Sequence, residues 1–210
     1  MKEIIAKDLL QIKAVFLNLK EPFTWASGIK SPVYCDNRLT LSFPDIRTRV
    51  EEALVNIIKE NYPDVEVIMG TSTAGISHAA IVGHLMNLPM GYVRGGAKGH
   101  GRKNQIEGKL EKGQKVVVIE DLISTGGSVI EVVEVLRQAG AEVLGIASIF
   151  TYGMKKSLER LEEANVKNVS ITTFDTVAEV AAKNGYIKDE DIKRLIDFRN
   201  NPSDESWINK

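Results

Sequence analysis

The most informative stretch of the chain is Val116-Val117-Val118-Ile119-Glu120-Asp121-Leu122-Ile123-Ser124-Thr125-Gly126-Gly127-Ser128. It begins with consecutive apolar residues, which are typical of a strand buried on both faces of a parallel sheet. The acids Glu120 and Asp121 follow at the predicted end of this strand, before small residues that lead into a helix. In open α/β sheets, ligands bind at the carboxyl ends of the strands. The stretch therefore predicts a strand, a binding loop and a helix start.

The loop of this stretch has the composition of a phosphate site. Backbone N–H groups at a helix start have no partner within the helix, and the helix dipole adds to their attraction for an anion. Gly126 and Gly127 would let the backbone approach a phosphate without an intervening Cβ. The hydroxyls of Ser124, Thr125 and Ser128 are further donors. The loop therefore predicts phosphate binding.

Paired carboxylates directly before such a loop indicate a ligand that carries hydroxyl groups or a metal. A ribose 5-phosphate suits both the loop and the acids, because its phosphate fits the loop and its 2- and 3-hydroxyls can bind Glu120 and Asp121. The alternative is a capped helix after a buried strand, but it explains neither the second acid nor the second glycine. The patterns GxGxxG and GxxxxGK[ST] are both absent from this stretch.

The rest of the chain alternates short Val- and Ile-rich runs with amphipathic segments. Such alternation predicts an α/β fold, a Rossmann-like parallel β-sheet flanked by helices with right-handed crossovers. The predicted strands cover residues 65–69, 89–93, 115–119, 142–150 and 169–172. The predicted helices cover residues 3–17, 42–61, 76–86, 126–138, 155–164 and 190–198, with Ser42 as the cap of the second.

Composition limits the classes of function. The chain of 210 residues is expected to form a single domain, and its 27 basic and 28 acidic residues leave a formal net charge of −1. That balance argues against a nucleic-acid-binding or membrane-binding surface over the whole protein. No run of 18 apolar residues is present, and Cys35 as the only cysteine excludes an intrachain disulfide. These features predict a cytoplasmic protein that binds neither nucleic acid nor membrane.

One long polar segment, residues 94–112, interrupts the alternation. It is rich in glycine and charge, and it carries Arg94, Lys98 and His100 close together. A polar connection of this length inside a compact domain is usually a functional lid or disordered. Clusters of Lys and Arg also occur on solvated surfaces. Beside a phosphate loop, however, these cations could stabilise further negative charge on the ligand.

Residues 116–128 resemble the phosphoribosyl pyrophosphate (PRPP) motif of the type I phosphoribosyltransferases. Residues 23–38, FTWASGIKSPVYCDNR, resemble the N-terminal hood of the orotate phosphoribosyltransferases, and residues 94–101 resemble the mobile catalytic loop of that family. Residues 104–108, NQIEG, follow this loop as in the bacterial branch of the family. The resemblance covers nearly the whole chain. It implies the type I phosphoribosyltransferase fold, with a small hood mainly in residues 1–40 plus the C-terminal segment, and a core at about residues 62–175.

The resemblance also implies a reaction in de novo pyrimidine biosynthesis. Ribose 5-phosphate is transferred from PRPP to orotate, which forms orotidine 5′-monophosphate and pyrophosphate. The implied cofactor is Mg²⁺ on the leaving pyrophosphate, and no protein residue is predicted as a metal ligand. A homodimer is implied in which the loop of one subunit completes the site of the other. The implied catalytic residues are Arg94, Lys98, His100 and Asp121.

The binding positions of the family match two parts of this chain. PRPP binding is implied for the loop cations and the motif, namely Arg94, Lys98, His100, Glu120, Asp121, Leu122, Ile123, Ser124, Thr125, Gly126, Gly127 and Ser128. Ser124 also matches a position that contacts the orotate ring, and residues 71–75 match the pyrophosphate loop. A plain strand-to-helix turn is the alternative for that second loop.

Several positions lack a cation that many family members carry, namely Ala26, Ala74, Gly95 and Tyr152. Each replacement removes positive charge from a site that binds anions. We expect partial compensation by Arg38, Lys30 and Lys103, with Arg38 as the candidate for orotate binding.

Two other functions stay open at this point. The chain could be a phosphoribosyltransferase for another base, although residues 23–38 argue against it. It could also be a non-catalytic regulator that binds PRPP, although the loop cations and the lack of residues for a DNA-binding domain argue against that. His78 and His84 are assigned packing or surface roles, because their spacing does not suit a metal.

Overall fold

The computed structural model of the protein describes residues 1–25, 28–96 and 105–209. Within these ranges, no helix has the length and apolar character needed to cross a membrane. Some predicted positions lie outside the described residues, namely Ala26, Lys98, His100 and Lys103.

The described part of the chain forms helices and short strands in mixed order. The α-helices are α1 (Lys2–Gln11), α2 (Pro44–Asn61), α3 (Ala74–Met86), α4 (Gly127–Gln138), α5 (Lys155–Glu163), α6 (Phe174–Lys183) and α7 (Asp189–Asn200). The strands are β1 (Val15–Leu17), β2 (Phe23–Thr24), β3 (Lys30–Ser31), β4 (Val33–Cys35), β5 (Val67–Thr71), β6 (Met90–Val93), β7 (Ile106–Glu107), β8 (Lys115–Ile123), β9 (Glu142–Thr151) and β10 (Asn168–Thr173).

Six strands form the main sheet, in the order β10-β9-β8-β5-β6-β7. All pairs in it are parallel except that of β7 with β6. The predicted parallel sheet with intervening helices is confirmed. Because β8 lies between β5 and β9, the residues that follow it along the chain lie at the middle of the carboxyl edge.

Helices cover both faces of this sheet. Val117 and Ile119 of β8 pack into an apolar cluster with α1, α2, α3 and α6, whereas Val116 and Val118 pack into a second cluster with α4. All four side chains are fully buried, and burying each one stabilises the fold by roughly 1.5–3 kcal/mol. The run at residues 116–119 is therefore continuously apolar because its side chains pack alternately against the helices on the two faces of the sheet.

Two small antiparallel strand pairs and the C-terminal helix lie beside the main sheet. Strand β1 pairs with β4, and β2 pairs with β3, both antiparallel. The Trp25 ring packs edge-on against Tyr152 and Phe198, and Phe198 contacts Trp207 in the same way. These aromatic contacts attach the N-terminal segment to α7 and to the end of β9.

Several predicted boundaries were wrong. The helix predicted over residues 3–17 ends at Gln11, because the chain turns at Lys13 and Val15 then pairs with Cys35. Ser42 does not cap α2, because it closes a short 3-10 helix and Phe43 occupies the cap position. Helix α6 and strand β7 were not predicted.

Candidate active site

The central strand β8 is longer than the sequence predicted, and this lengthening positions the acids. Its pairing with β5 ends at Gly70 and Ile119, but its pairing with β9 continues through Glu120 to Ile123. The predicted strand end at residue 119 was therefore wrong. Glu120 and Asp121 lie in the part of β8 that still pairs with β9 but no longer pairs with β5.

Glu120 and Asp121 have different environments. Glu120 is 6% exposed, and its Oε1 lies 2.8 Å from Thr71 Oγ1 and accepts the Asp121 backbone N–H at 3.0 Å. Burial, together with the neighbouring Asp121 carboxylate, raises the pKa of Glu120 to about 8. Asp121 is only half-buried. Near neutral pH, Glu120 is therefore mostly protonated, and it connects the end of β5 to the end of β8.

Replacing Glu120 with Gln should change how stability depends on pH. The ordinary carboxyl pKa is 4.5 and the folded value is about 8, so the wild-type protein loses stability as pH rises through this window. Because Gln cannot ionise, the melting temperature of the variant should fall less between pH 5 and pH 8. Melting curves across this range test the prediction, with Glu142→Gln, an exposed acid at the start of β9, as control. Parallel curves for wild type and Glu120→Gln would contradict it.

The loop after β8 has an open helix start. Gly126 adopts a left-handed conformation with φ of +77° and occupies the N-cap of α4, where no side chain of the described residues caps the helix. Ser124 and Thr125 are half-buried, and Ser128 is exposed. The first backbone N–H groups of α4 are therefore available to an anion, as the sequence suggested.

Arg160 of α5 supports this loop, although sequence reasoning missed it. Its Nη1 donates to the Thr125 carbonyl at 3.1 Å, and it lies 3.2 Å from the position that a Cβ on Gly127 would take. A side chain at position 127 would have to displace this guanidinium. No local pattern connects positions so far apart in the sequence, so only the packing of α5 against α4 indicates the contact.

The loop between β5 and α3 lies against the same strand. Ser72 Oγ donates to the Val93 carbonyl at 2.6 Å, which joins the loop to the end of β6. A Cβ on Gly75 would lie 2.5 Å from the Ile119 carbonyl oxygen and 2.5 Å from Thr71 Oγ1. Glycine at position 75 therefore lets the start of α3 approach the central strand, so that two helix starts flank the acids.

Comparison with known proteins identifies the family. The model of the phosphoribosyl transferase domain matches residues 41–184 of the chain. An orotate phosphoribosyltransferase from Bacillus cereus (strain G9842) is 60% identical over 208 residues, which cover 99% of each chain. The chain belongs to the orotate phosphoribosyltransferase family.

Solved structures of similar proteins agree with the fold. An orotate phosphoribosyltransferase from Aeropyrum pernix superposes with a TM-score of 0.76 at 32% identity, over 87% of this chain and 99% of that one. The UMP synthase of Leishmania donovani superposes with a TM-score of 0.80 at 27% identity, over 94% of this chain but only 42% of that longer one. The type I phosphoribosyltransferase fold is thus confirmed.

Directly after β9, where a cation is expected in this family, this chain has Tyr152, which lies in an aromatic cluster. Tyr152 is 3% exposed, and its ring contacts those of Trp25, Phe150 and Phe174 at centroid distances of 5.8, 5.1 and 5.6 Å. Burial raises the pKa of the Tyr152 phenol, so the hydroxyl stays neutral. Position 152 therefore contributes packing and no positive charge.

The other candidate cations within the described residues, Arg38, Arg94 and Lys30, already have partners. Arg38 donates to both carboxylate oxygens of Asp36 at 2.7 and 2.8 Å, and its side chain is 65% exposed. Arg94 follows β6 and forms an ion pair with Glu107 at 3.2 Å. Lys30 Nζ donates to Thr24 Oγ1 at 2.7 Å. Orotate or pyrophosphate would have to compete with these partners or share their cations.

The histidines of α3 do not belong to this site. His78 is fully buried, and its Nδ1 lies 2.6 Å from Glu51 Oε1 of α2, which is the packing role predicted for it. His84 is exposed. Among the described residues, no group of three or more His, Cys, Asp or Glu side chains could hold a metal ion.

Proposed function

We propose that the chain transfers the phosphoribosyl group of PRPP to orotate at the carboxyl edge of β5 and β8, forming orotidine 5′-monophosphate and pyrophosphate. Its family makes the chain a phosphoribosyltransferase enzyme. One observation supports this placement of the reaction best. The half-buried carboxylate of Asp121 precedes a helix start at Gly126 and Gly127 that no side chain of the described residues caps. A group that accepts hydrogen bonds from ribose hydroxyls and groups that donate to a phosphate therefore lie on one continuous segment.

In this proposal the ligand spans both loops. The 5-phosphate binds the N–H groups and hydroxyls at residues 124–128, and the ribose hydroxyls bind Glu120 and Asp121. The pyrophosphate then extends toward residues 71–75 and Arg94, because the contact between Ser72 and the Val93 carbonyl holds these two segments together. Ser124, at the start of the loop, is left to contact the orotate ring.

The chain's own groups stabilise charge in two places. Positive charge develops at the ribose C1, where the Asp121 carboxylate stabilises it, and negative charge develops on the leaving pyrophosphate. Arg94 is the cation of the proposed catalytic loop, residues 94–101, that lies within the described residues. Lys98 and His100 lie outside the described residues, and the family resemblance implies that they are the other cations that stabilise the leaving pyrophosphate. His100 is proposed to protonate the leaving oxygens.

The donor groups of the site suit Mg²⁺ held mainly by substrate and water oxygens. Among the described residues, no group of three or more His, Cys, Asp or Glu side chains is arranged to hold a metal ion, so we propose that substrate and water oxygens supply most of the ligands. Asp121 is the carboxylate available to it, because Glu120 is buried and bonded to Thr71. When bound, Mg²⁺ supplies positive charge to the pyrophosphate.

A single assay separates the candidate functions. Purified protein is mixed with PRPP, Mg²⁺ and orotate, and the absorbance of orotate is followed. Loss of absorbance with formation of pyrophosphate supports the proposal. Turnover only with a different base would indicate a phosphoribosyltransferase for that base. Tight PRPP binding without turnover would indicate a non-catalytic regulator.

We further propose that the enzyme works in the cytoplasm, which the single unpaired Cys35 supports.

Arg38→Ala tests the proposed orotate contact. If Arg38 shares its charge between Asp36 and the orotate carboxylate, the variant should raise the KM for orotate about tenfold, with the KM for PRPP nearly unchanged. The matched control is Arg49→Ala, because Arg49 forms a similar two-bond pair with Asp8 at 2.8 and 2.9 Å on another part of the surface. An unchanged KM for orotate would remove Arg38 from the site.

Subunit mixing tests the proposed homodimer with shared sites. One parent carries Lys98→Ala and the other carries Asp121→Asn, and each alone should be nearly inactive. After mixing, about a quarter of wild-type activity should return, because half of the dimers are hybrids and each has one intact site. Mixing either parent with itself is the control. Failure of activity to return, with exchange of subunits verified by mass spectrometry, would contradict sharing of the loop.

A further inference from the structure

One hydrogen bond joins the N-terminal segment directly to the acid pair of the motif. Asn37 Nδ2 donates to the Asp121 carbonyl oxygen at 2.7 Å, and the two residues are 84 positions apart in the sequence. Asn37 is fully buried at 0% exposure. A buried amide donor that loses its acceptor costs stability, so loss of this contact would be penalised.

Neighbouring groups hold the Asn37 side chain in one orientation. The Cys35 thiol donates to Asn37 Oδ1 at 3.4 Å, which turns the amide NH₂ toward Asp121. Burial raises the pKa of the Cys35 thiol, and Asp121 and Asp36 raise it further, so the thiol keeps the proton that it donates. Thr40 Oγ1 donates to the Asn37 carbonyl at 2.6 Å and fixes the main chain.

This hydrogen bond lies at the level where β8 no longer pairs with β5. Pairing of β8 with β5 ends at Ile119, whereas pairing with β9 continues on both sides of Asp121, at Glu120 and Leu122. The Asp121 carbonyl therefore accepts from a side chain of the N-terminal segment rather than from a neighbouring strand. On the β5 side, Asn37 therefore supplies a hydrogen bond to the Asp121 peptide, in addition to the pairing with β9.

We propose that Asn37, oriented by the Cys35 thiol, is a positioning residue that aims the Asp121 carboxylate at the ribose, an assignment that rests on the proposed function. Asn37 stands next to Arg38, the candidate for orotate binding, so the bond also connects the acceptor side of the site to the ribose side. A shift of either segment is transmitted to the other through this buried amide.

Asn37→Ala should lower kcat about tenfold while the KM for PRPP changes less than threefold, because a displaced carboxylate is costly mainly in the transition state. The matched control is Tyr62→Phe. The Tyr62 hydroxyl is also buried and donates across the fold, to the Ile146 and Lys167 carbonyls at 3.1 Å each, away from the loops. This control should lower the melting temperature and leave kcat unchanged.

Variants at Cys35 test the orientation without deleting the amide. Cys35→Ser keeps a donor to Asn37 Oδ1 and should retain nearly wild-type kcat. Cys35→Ala removes the donor, lets the amide turn and should lower kcat about threefold with a small change in melting temperature. These mild variants keep the assignment testable if Asn37→Ala fails to fold.

The outcomes separate the two levels of inference. A wild-type protein that does not turn over orotate and PRPP would overturn the proposed function itself. Wild-type turnover together with an unchanged kcat in Asn37→Ala would overturn only the positioning role. An equal loss of kcat in Tyr62→Phe, or in Cys35→Ser and Cys35→Ala alike, would also overturn it, because general destabilisation or simple packing would then account for the effect.

Discussion

Asp121→Asn should lower kcat at least about a hundredfold, the loss typical when one preorganised electrostatic group is removed from an active site. The substitution keeps the shape of the side chain but removes the negative charge that the proposed mechanism sets against the developing positive charge at the ribose. Asn can still hydrogen-bond a ribose hydroxyl, so the KM for PRPP should change much less than kcat.

Steady-state kinetics with both substrates varied measure this effect. Asp64→Asn is the control, because Asp64 is an exposed acid just before β5, at the opposite edge of the sheet, where it pairs with Lys115 at 3.5 Å. The melting temperature of both variants should stay close to that of the wild type. If Asp121→Asn kept half of the wild-type turnover, Asp121 would have no catalytic role.

Gly75→Ala should destabilise the protein by about 1–3 kcal/mol or more and also impair turnover. The added Cβ would lie 2.5 Å from the Ile119 carbonyl oxygen and from Thr71 Oγ1. Since both neighbours belong to strands of the central sheet, α3 would have to move outward. That movement would displace the loop before α3 and disturb the hydrogen bond between Thr71 and Glu120.

Thermal unfolding and kcat are the two measurements for this variant. Gly83→Ala in the same helix is the matched control, because its Cβ would meet Met90 Cβ at 3.0 Å and the Leu88 carbonyl oxygen at 3.4 Å, both looser contacts than the 2.5 Å at Gly75. Alanine also favours the helix, so this control should destabilise the protein much less than Gly75→Ala and leave turnover unchanged. Equal melting temperatures for Gly75→Ala and wild type would show that α3 does not pack as described.

Local chemistry was enough to predict the strand, the loop and the helix start at residues 116–128. An apolar run, two acids and two glycines each have a narrow range of uses, and here they occur in the order that a phosphate site requires. The alternation of strands and helices similarly predicted the parallel sheet. Both predictions depend on periodicity and on residue type, which a single sequence displays in full.

The end of β8 could not be predicted in the same way. The apolar run stops at Ile119, yet the strand continues to Ile123 because β9 offers hydrogen-bond partners that far. Similarly, Phe16 matches a helical pattern, but Val15 and Leu17 pair with Cys35 and Val33. Pairing between strands overrides local preference, and the partner of a strand is not visible in its own residues.

The chain's residues alone therefore determined the sheet, the glycine-containing loop at the start of α4 and the presence of two acids before it, because each rests on neighbours in the sequence. Tertiary packing decided what distinguishes those acids, since burial and the neighbouring Asp121 carboxylate raise the pKa of Glu120 while Asn37 holds the Asp121 peptide. It also placed Arg160 behind the loop and Tyr152 within an aromatic cluster. Such contacts join residues tens of positions apart, and their energies depend on distance and burial, which exist only once the chain has folded.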